Sequence, residues 1–246
     1  MIVSIHQPLY LPWQPYFAKI ANSDAFIFLD DVQYPGGRSF FNRNIIKGPN
    51  GKILLTAPVV GRSELPLIKN LKLDITKNLQ FNHWKTISLS YKKSKYFELY
   101  QKPLEEIYLG QSYSSLASFS VDLVCCISAL LKLKTKFYRS SELMSSSSSG
   151  AGRLIDLVKQ VNGSRYLTGS GAGSMRYMDI SEYEHEGILV YWHEYFQEPY
   201  KQLWGEFMPD TFILDLLFNC GPNASEYLMR NSTMRTEKKG GAIDIA

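Results

Sequence analysis

Two short apolar runs near the start of the chain are each followed directly by polar side chains. Residues 2–5 have the length and β-branched character of a buried strand, and they stop at His6, Gln7 and Pro8. Proline has no amide hydrogen for a β-ladder and favours extended geometry in the residue before it, so the strand ends there. The second run, residues 25–29, ends in Asp30 and Asp31.

A short helix is predicted between these two runs. Residues 16–22 carry apolar side chains at Tyr16, Phe17 and Ile20, and we place Lys19 on the outer face. A strand, a helix and a second strand of this length predict two parallel strands with a helical crossover.

The two predicted strands end at the same edge of a sheet. Ligands of open α/β sheets bind in the crevice outside the carboxyl ends of the strands. We therefore expect His6, Gln7, Asp30, Asp31 and Gln33 to form a polar site at this edge.

The rest of the pattern continues the alternation of strands and helices. It predicts a hairpin around the Asn-Gly turn at residues 48–51. Helices are predicted over 78–109 (two or three), 114–133, 153–161 and 211–217, and strands over 68–75, 135–139, 165–168 and 188–191. The serine run 145–149 predicts an exposed loop, and residues after about 234 predict a frayed tail.

These elements predict an α/β fold with a mostly parallel sheet and flanking helices. We expect one domain over residues 1–234, with a helical insertion at about 78–133 and a flexible tail over 235–246.

Composition and charge narrow the function classes. The 246 residues are 45% hydrophobic and 20% charged, which is typical of a soluble globular protein. The net charge of +4 comes from dispersed basic residues, so it gives no argument for nucleic acid or for an anionic membrane. The sequence has no membrane-length apolar run, no secretion signal and no CxxC pair among its three cysteines, so we predict a cytoplasmic protein without membrane insertion.

His6 and Gln7 have the donors and acceptors needed to contact a phosphate, a carboxylate or a nucleoside. The alternative is that His6 caps its strand by bonding a neighbouring carbonyl. None of the other histidines, His83, His185 and His193, has metal-ligand spacing with it, so no histidine-based metal site is predicted.

The paired carboxylates Asp30 and Asp31 suit a magnesium ion, an amine or a ribose, or else a turn cap. Asn42, Arg43 and Lys47 follow them with fixed donors that suit a phosphate or pyrophosphate. The alternative is a structural pairing of the arginine with one of the two carboxylates.

Three later segments add candidate groups. The loop at 168–174 follows a predicted strand, and its backbone amides could bind an anion. Asp215 lies in an apolar run, where a carboxylate costs several kcal/mol unless it is paired, and we favour a structural ion pair with Arg43 or another cation. Cys220 could be a nucleophile, but a quiet buried thiol is the favoured interpretation.

Several blocks of the sequence, taken together and in order, resemble the WbqC-like protein family. The match extends over nearly the whole chain, so it is far more specific than any single motif. The blocks are residues 5–13 (IHQPLYLPW), 16–20 with Ser23 and Asp24, 29–34 (LDDVQY), 42–47 (NRNIIK), 166–169 (YLTG), 200–202 (YKQ) and 213–222 (ILDLLFNCGP).

This resemblance implies a role in bacterial surface-polysaccharide biosynthesis of the O-antigen type. The implied activity moves glycine or another small acyl group onto the amine of a nucleotide-linked amino sugar, and the alternative is a non-catalytic binding or assembly protein of the same pathway. The expected catalytic residues are His6, Asp30 and Asp31. The expected substrate-binding residues are Gln7, Tyr10, Trp13, Gln33, Asn42, Arg43, Lys47, Thr168, Gly169, Ser170, Tyr200, Gln202, Asp215 and Asn219.

A strand ending in histidine, a proline-containing loop, a helix and a second strand ending near Asp-Gln are also similar to the start of nucleotidyltransferase-like (Rossmann-like) enzymes. By that analogy His6 would stabilise charge on a transferred phosphate, and ATP with magnesium would be the cofactor. Their HxGH pattern is absent here. The sequence does not identify the acyl donor or the oligomeric state. Aminoacyl-tRNA is the one candidate donor that would involve RNA.

Overall fold

A seven-stranded sheet forms the centre of the protein in the computed structural model, which describes residues 1–37, 39–144, 149–171, 174, 178–238 and 241–244, with only the backbone from 237 onwards. Its strands follow the order β7-β2-β1-β8-β9-β10-β11 when the strands are numbered along the chain. The strands are β1 (Ile2–His6), β2 (Ala25–Phe28), β3 (Arg43–Gly48), β4 (Gly51–Thr56), β5 (Val59–Val60), β6 (Lys72–Leu73), β7 (Lys136–Arg139), β8 (Arg165–Gly169), β9 (Leu189–Tyr195), β10 (Ser232–Lys238) and β11 (Gly241–Asp244).

The five strands β7, β2, β1, β8 and β9 are parallel, which confirms the predicted α/β fold with a mostly parallel sheet. β2 lies beside β1, and β7 lies beside β2, so these strands follow one another in one direction across the sheet. β8, the next strand of the sheet along the chain, lies on the other side of β1. The strand order therefore reverses between β1 and β8. A reversal of this kind opens a crevice at the carboxyl ends of the two strands, where open α/β sheets bind ligands.

Helices cover both faces of the sheet. Successive side chains of β2 alternate, so Phe26 and Phe28 enter one core while Ala25 and Ile27 enter the other. In the numbering used below, α1, α4, α7 and α8 contribute to the first core, and α5 and α6 contribute to the second. The helices are α1 (Gln14–Ala21), α2 (Leu79–Tyr91), α3 (Phe97–Leu109), α4 (Leu116–Leu130), α5 (Gly150–Gln160), α6 (Ile180–His185), α7 (Leu214–Cys220) and α8 (Ala224–Arg230).

The segment between β2 and β7 is an insertion that starts with strands and ends with helices. The predicted hairpin is confirmed, since β3 and β4 pair antiparallel around the turn that ends at Gly51. The helical pattern is confirmed as α2, α3 and α4, and the Ser115 hydroxyl accepts a bond from the Ser118 amide at 3.4 Å to cap α4.

The strand predicted over residues 68–75 is wrong for most of its length. Residues Ile68–Asn70 form a 3₁₀ turn, and only Lys72–Leu73 pair as a strand. The turn forms because its amides bond to residues just after β2: Ile68 N to the Val32 carbonyl at 2.9 Å and Lys69 N to the Asp30 carbonyl at 2.6 Å.

Within the range expected to form a flexible tail, residues 235–238 and 241–244 are in strands. Residues 235–238 belong to β10, which pairs antiparallel with β9 from Ser232↔Tyr195 to Arg235↔Trp192, and β11 pairs with β10. Charged and polar residues suit strands at the rim of a sheet, where side chains reach solvent while the main chain completes the ladder.

Two predicted loops lie partly outside the described ranges: the serine loop at residues 145–148, and the loop at 168–174 at residues 172–173. Of the helices listed above, none has the length and apolar character needed to cross a bilayer.

Candidate functional site

His6 and Gln7 lie at the crevice where the strand order reverses. They end β1, and Thr168, Gly169 and Ser170 end the neighbouring β8, which pairs with β1 from Ile2↔Arg165 to Ser4↔Leu167. His6, Gln7 and Gly169 are partly exposed, and Ser170 is exposed. The structure therefore brings together these five predicted site residues from distant parts of the chain.

The imidazole of His6 is neutral and has a defined tautomer. Its Nδ1 lies 3.0 Å from the Gln7 carbonyl oxygen, which can only accept, so Nδ1 carries the proton and Nε2 is an acceptor. Burial and the nearby charge of Lys19 lower the pKa of His6 to about 3. The ring packs edge-on against Tyr16 with centroids 5.0 Å apart, which fixes its orientation. At neutral pH Nε2 of His6 is therefore a hydrogen-bond acceptor.

Lys19 is a site residue that the sequence reasoning missed. The sequence pattern predicts the outer face of α1 for it, but the structure buries it at 5% exposure beneath the end of β1. Burial lowers the pKa of Lys19 to about 8. Its Nζ donates to the Ile5 carbonyl at 3.4 Å, and no acidic group of the described ranges lies within 4 Å of it. The available signal was its position three residues after Tyr16, which places it on the apolar stripe of α1.

His193 completes this group from β9, where it pairs with Gly169 at the end of β8. Burial and the charge of Lys19 lower the pKa of His193 to about 4, so this imidazole is also neutral at pH 7. Its Nε2 lies 3.3 Å from the Ser232 hydroxyl. Lys19 is thus the charged member of a group that contains two neutral histidines.

Asp30 and Asp31 lie at the end of β2 and are held by the end of β7. The Ser140 hydroxyl lies 3.2 Å from Asp30 Oδ1 and 2.5 Å from Asp31 Oδ1. The Ser141 amide and hydroxyl each bond Asp30 at 3.0 Å. The structural pairing considered for these carboxylates is present, but with Arg139 at 4.0 Å and Arg153 at 2.5 Å instead of Arg43.

A third group of predicted residues forms a buried polar network away from the crevice. The Lys47 Nζ donates to Gln202 Oε1 at 3.2 Å, to the Gly205 carbonyl at 3.3 Å and to the Glu206 carbonyl. An ammonium group has three donors, so Lys47 is saturated by protein oxygens. Gln202 in turn donates to Asp215 Oδ1 at 2.8 Å.

Asp215 is stabilised by neutral donors. The structural ion pair favoured for it is not formed within the described ranges; instead Tyr200 bonds Oδ1 at 2.8 Å and Tyr91 bonds Oδ2 at 2.9 Å. Burial raises the pKa of Asp215, while these hydroxyls, Gln202 and the charge of Lys47 oppose that change. Asn219 donates to the Asp215 main-chain carbonyl at 2.7 Å and closes the network at the end of α7.

The remaining predicted residues are distributed over the loop and hairpin that follow β1 and β2. Tyr10 is buried with its hydroxyl 2.6 Å from His83 Nδ1, and Trp13 begins α1 with 41% exposure. Gln33 is exposed and forms a backbone bridge with Leu67. Asn42 donates to the Ala57 carbonyl at 2.8 Å.

Arg43 is partly exposed, and its Nε is buried without a hydrogen-bond partner among the described residues. The pairing with Asp30 or Asp31 that was considered for it is not formed. Its guanidinium therefore stays a candidate for an anionic ligand.

Sequence reasoning missed the residues that connect these groups: Gln14, Tyr91, Arg139, Ser140, Arg153, Tyr195 and His193. Each is an ordinary polar residue in a helix or strand, so only its tertiary contacts single it out. Burial raises the pKa of the Cys220 thiol to about 11, which agrees with the quiet thiol favoured for it. In the parts of the chain that can be described, no three His, Cys, Asp or Glu side chains converge as a metal site.

Comparison with known proteins agrees with the resemblance found in the sequence. A protein of Mycobacterium tuberculosis (strain ATCC 25618 / H37Rv), named Uncharacterized protein Rv1507c, is 34% identical over 228 residues, which is 92% of this chain and 96% of that protein. No solved structure matches the chain. The family model for the WbqC-like proteins matches residues 7–227, nearly the whole length of the sheet and its helices. The chain belongs to the WbqC-like protein family.

Proposed function

We propose that this protein is an amide-forming transferase of surface-polysaccharide biosynthesis, which moves glycine or another small acyl group to the amine of a nucleotide-linked amino sugar. The observation that carries the proposal is the convergence of His6, Gln7 and the Thr168–Ser170 segment at the crevice between β1 and β8. We place the reaction in the cytoplasm, where nucleotide-linked sugars are made.

In the proposed reaction the sugar amine attacks the acyl carbonyl. The new C–N bond forms, the bond from the acyl carbon to its leaving group breaks, and one proton leaves the nitrogen with the leaving group. The neutral His6 accepts a hydrogen bond from the amine through Nε2 and orients its lone pair. This neutral state favours acceptance over the charge-stabilising role that the nucleotidyltransferase analogy implies.

ATP with magnesium is an open part of this proposal. The parallel strand order resembles that of Rossmann-like nucleotide-binding sheets, which supports a nucleotide in the crevice. Asp30 fits magnesium poorly, because its carboxylate oxygens already accept bonds from Ser140 and Ser141. We therefore derive no step through a metal ion.

The test is a product assay by mass spectrometry. The protein is incubated with a nucleotide-linked amino sugar and, in separate reactions, with glycine and ATP, with acyl-coenzyme A, or with aminoacyl-tRNA with and without ribonuclease. We expect a mass gain equal to the acyl group with one donor, and a loss of at least about 100-fold in rate for His6→Ala. The exposed His185→Ala is the matched control and keeps the wild-type rate.

No mass gain with any donor would overturn the proposal. In that case the alternative, a non-catalytic binding or assembly protein, is tested in cells. If the protein only binds or assembles, cells that carry His6→Ala or Arg43→Ala would still make the modified polysaccharide. If the protein is the enzyme, the same variants would abolish the modification.

A further inference from the structure

Lys19 is a buried cation that has no counter-ion within 4 Å among the described residues. It lies in the last turn of α1 and is 5% exposed. Its Nζ has one hydrogen bond within the described ranges, to the Ile5 carbonyl, and the 3.4 Å distance is long for such a bond. An ammonium group has three donors, so two lack a partner there.

A second buried lysine, Lys47, differs from Lys19 in the number of its hydrogen-bond partners. Lys47, with 3% exposure, donates to three protein oxygens. A buried charge without compensating partners costs several kcal/mol, and chains retain one where it serves a ligand or a reaction.

In the part of the chain that the structure describes, the groups around Lys19 add no negative charge. His6 and His193 are neutral, and the charge of Lys19 contributes to the low pKa of each. Ser4 and Ser23 bond to each other at 2.6 Å, and Ser23 donates to the Lys19 carbonyl. The end of the crevice beneath β1 is therefore positive, and an oxyanion would neutralise it.

We propose that the Lys19 ammonium binds an anionic oxygen group of the substrate, a phosphate or a carboxylate, in the crevice between β1 and β8. The partly exposed His6 and Gln7 lie at the same strand end, and Thr168–Ser170 form the opposite side. The inference rests on the proposed function only for the location of the site. An amide-forming enzyme whose acyl donor or nucleotide sugar carries such a group would hold it here.

A structural role for Lys19 makes the opposite prediction for one substitution. Lys19→Met keeps the length and apolar stem of the side chain but removes the charge. If Lys19 serves a ligand, the variant without ligand unfolds at the same temperature as the wild type or a few degrees higher, because an uncompensated charge has been removed. If Lys19 holds Ile5 in place, the variant unfolds at a lower temperature.

The experiment measures Tm with inorganic phosphate, with acetate and with chloride at matched ionic strength. We expect phosphate or acetate to raise the wild-type Tm by about 3 °C relative to chloride, and to leave Lys19→Met unchanged. The arm with the larger shift identifies the anion class. Lys85→Met, at an exposed lysine of α2, is the matched control and keeps the wild-type response.

A second measurement uses only the wild-type protein, so it does not depend on the variant folding. Acetic anhydride labels lysines, and peptide mass spectrometry reads the labelled fraction. We expect phosphate or acetate to slow labelling of Lys19 several-fold and to leave Lys85 unaffected.

An unchanged anion response in Lys19→Met, a lower Tm of that variant without ligand, or no anion effect on Lys19 labelling would each overturn the inference. These outcomes are independent of product formation. A protein that forms the amide but shows no Lys19-dependent anion binding contradicts this inference alone, and the reverse pattern contradicts the proposed function alone.

Discussion

At the scale of single residues, Asp215 and Lys19 show two ways in which the fold holds a buried charge. Asp215 accepts bonds from Tyr91, Tyr200 and Gln202, so its charge is shared over a network of neutral donors. Lys19 has, among the described residues, one long bond from its Nζ to a carbonyl. The first arrangement is complete within the protein and is structural, whereas the second gains from a ligand.

The Asp215 network predicts a stability effect without a change in the crevice. Asp215→Asn replaces one acceptor oxygen by an NH₂ group that faces a donor. Hydrogen bonds to charged groups contribute about 1.5–3 kcal/mol each, so we expect the free energy of unfolding to fall by about 2–4 kcal/mol. Urea denaturation of the variant and the wild type measures this difference in the free energy of unfolding.

Asp210→Asn is the control for this prediction. Asp210 is exposed and has a φ of 56°, a conformation that asparagine tolerates. We therefore expect the free energy of unfolding of the Asp210→Asn protein to differ from the wild type by less than about 0.5 kcal/mol. Equal stability of Asp215→Asn and the wild type would show that the network contributes nothing.

At the scale of elements, residues 232–238 and 241–244 are part of the sheet. β10 covers the main chain of β9, and Ser232 contacts His193, a member of the group around Lys19. The sequence pattern of residues 232–238 is polar, so its place in the sheet follows from pairing with β9 and not from burial.

Truncation tests this element. A chain that ends at residue 231 leaves the main chain of β9 unpaired along an exposed edge. We expect its Tm to fall by at least about 5 °C and the protein to self-associate, as measured by circular dichroism and light scattering. A chain that ends at residue 238 keeps β10 and is the control. Equal Tm values for the two truncations would show that β10 does not stabilise the sheet.

At the scale of the whole molecule, three histidines with lowered pKa values, of which His193 is buried and His6 and His83 are partly exposed, make stability depend on pH. Burial is the main cause that lowers the pKa of His6 to about 3 and those of His83 and His193 to about 4, from an ordinary value of 6.5. Below pH 6.5 the unfolded chain binds more protons than the folded protein. The free energy of unfolding therefore falls as the pH drops from 6.5 towards 4.

Unfolding by urea at pH 6.5 and pH 5 measures this dependence. A shift of one pH unit corresponds to about 1.4 kcal/mol per histidine, so the upper limit is about 2 kcal/mol for each over this interval. His193→Gln should reduce the difference between the two pH values, and the exposed His185→Gln is the control that should not. An identical difference in both variants would contradict the assignment to His193.

Much of the fold was predictable because many of its strands and helices are determined by residues that are close together in the sequence. The strands β1, β2, β7 and β8 and the helices α1 to α5 follow from apolar spacing, from the Pro8 stop and from the Asn-Gly turn. The turn at residues 68–70 was not predictable from the sequence, because its shape depends on hydrogen bonds to the carbonyls of Asp30 and Val32, which lie in another part of the chain.

The same distinction holds for the site. The sequence by itself determined that His6 and Gln7 end a strand, that Thr168–Ser170 end another, and that the chain resembles the WbqC-like family. Only the tertiary structure decided that these ends are neighbours, that Lys47 and Asp215 belong to a closed network, and that Lys19 points inward. The physical reason is that side-chain periodicity and turn chemistry act within a few residues, whereas strand order, burial and the partner of a charge arise from contacts across the whole fold.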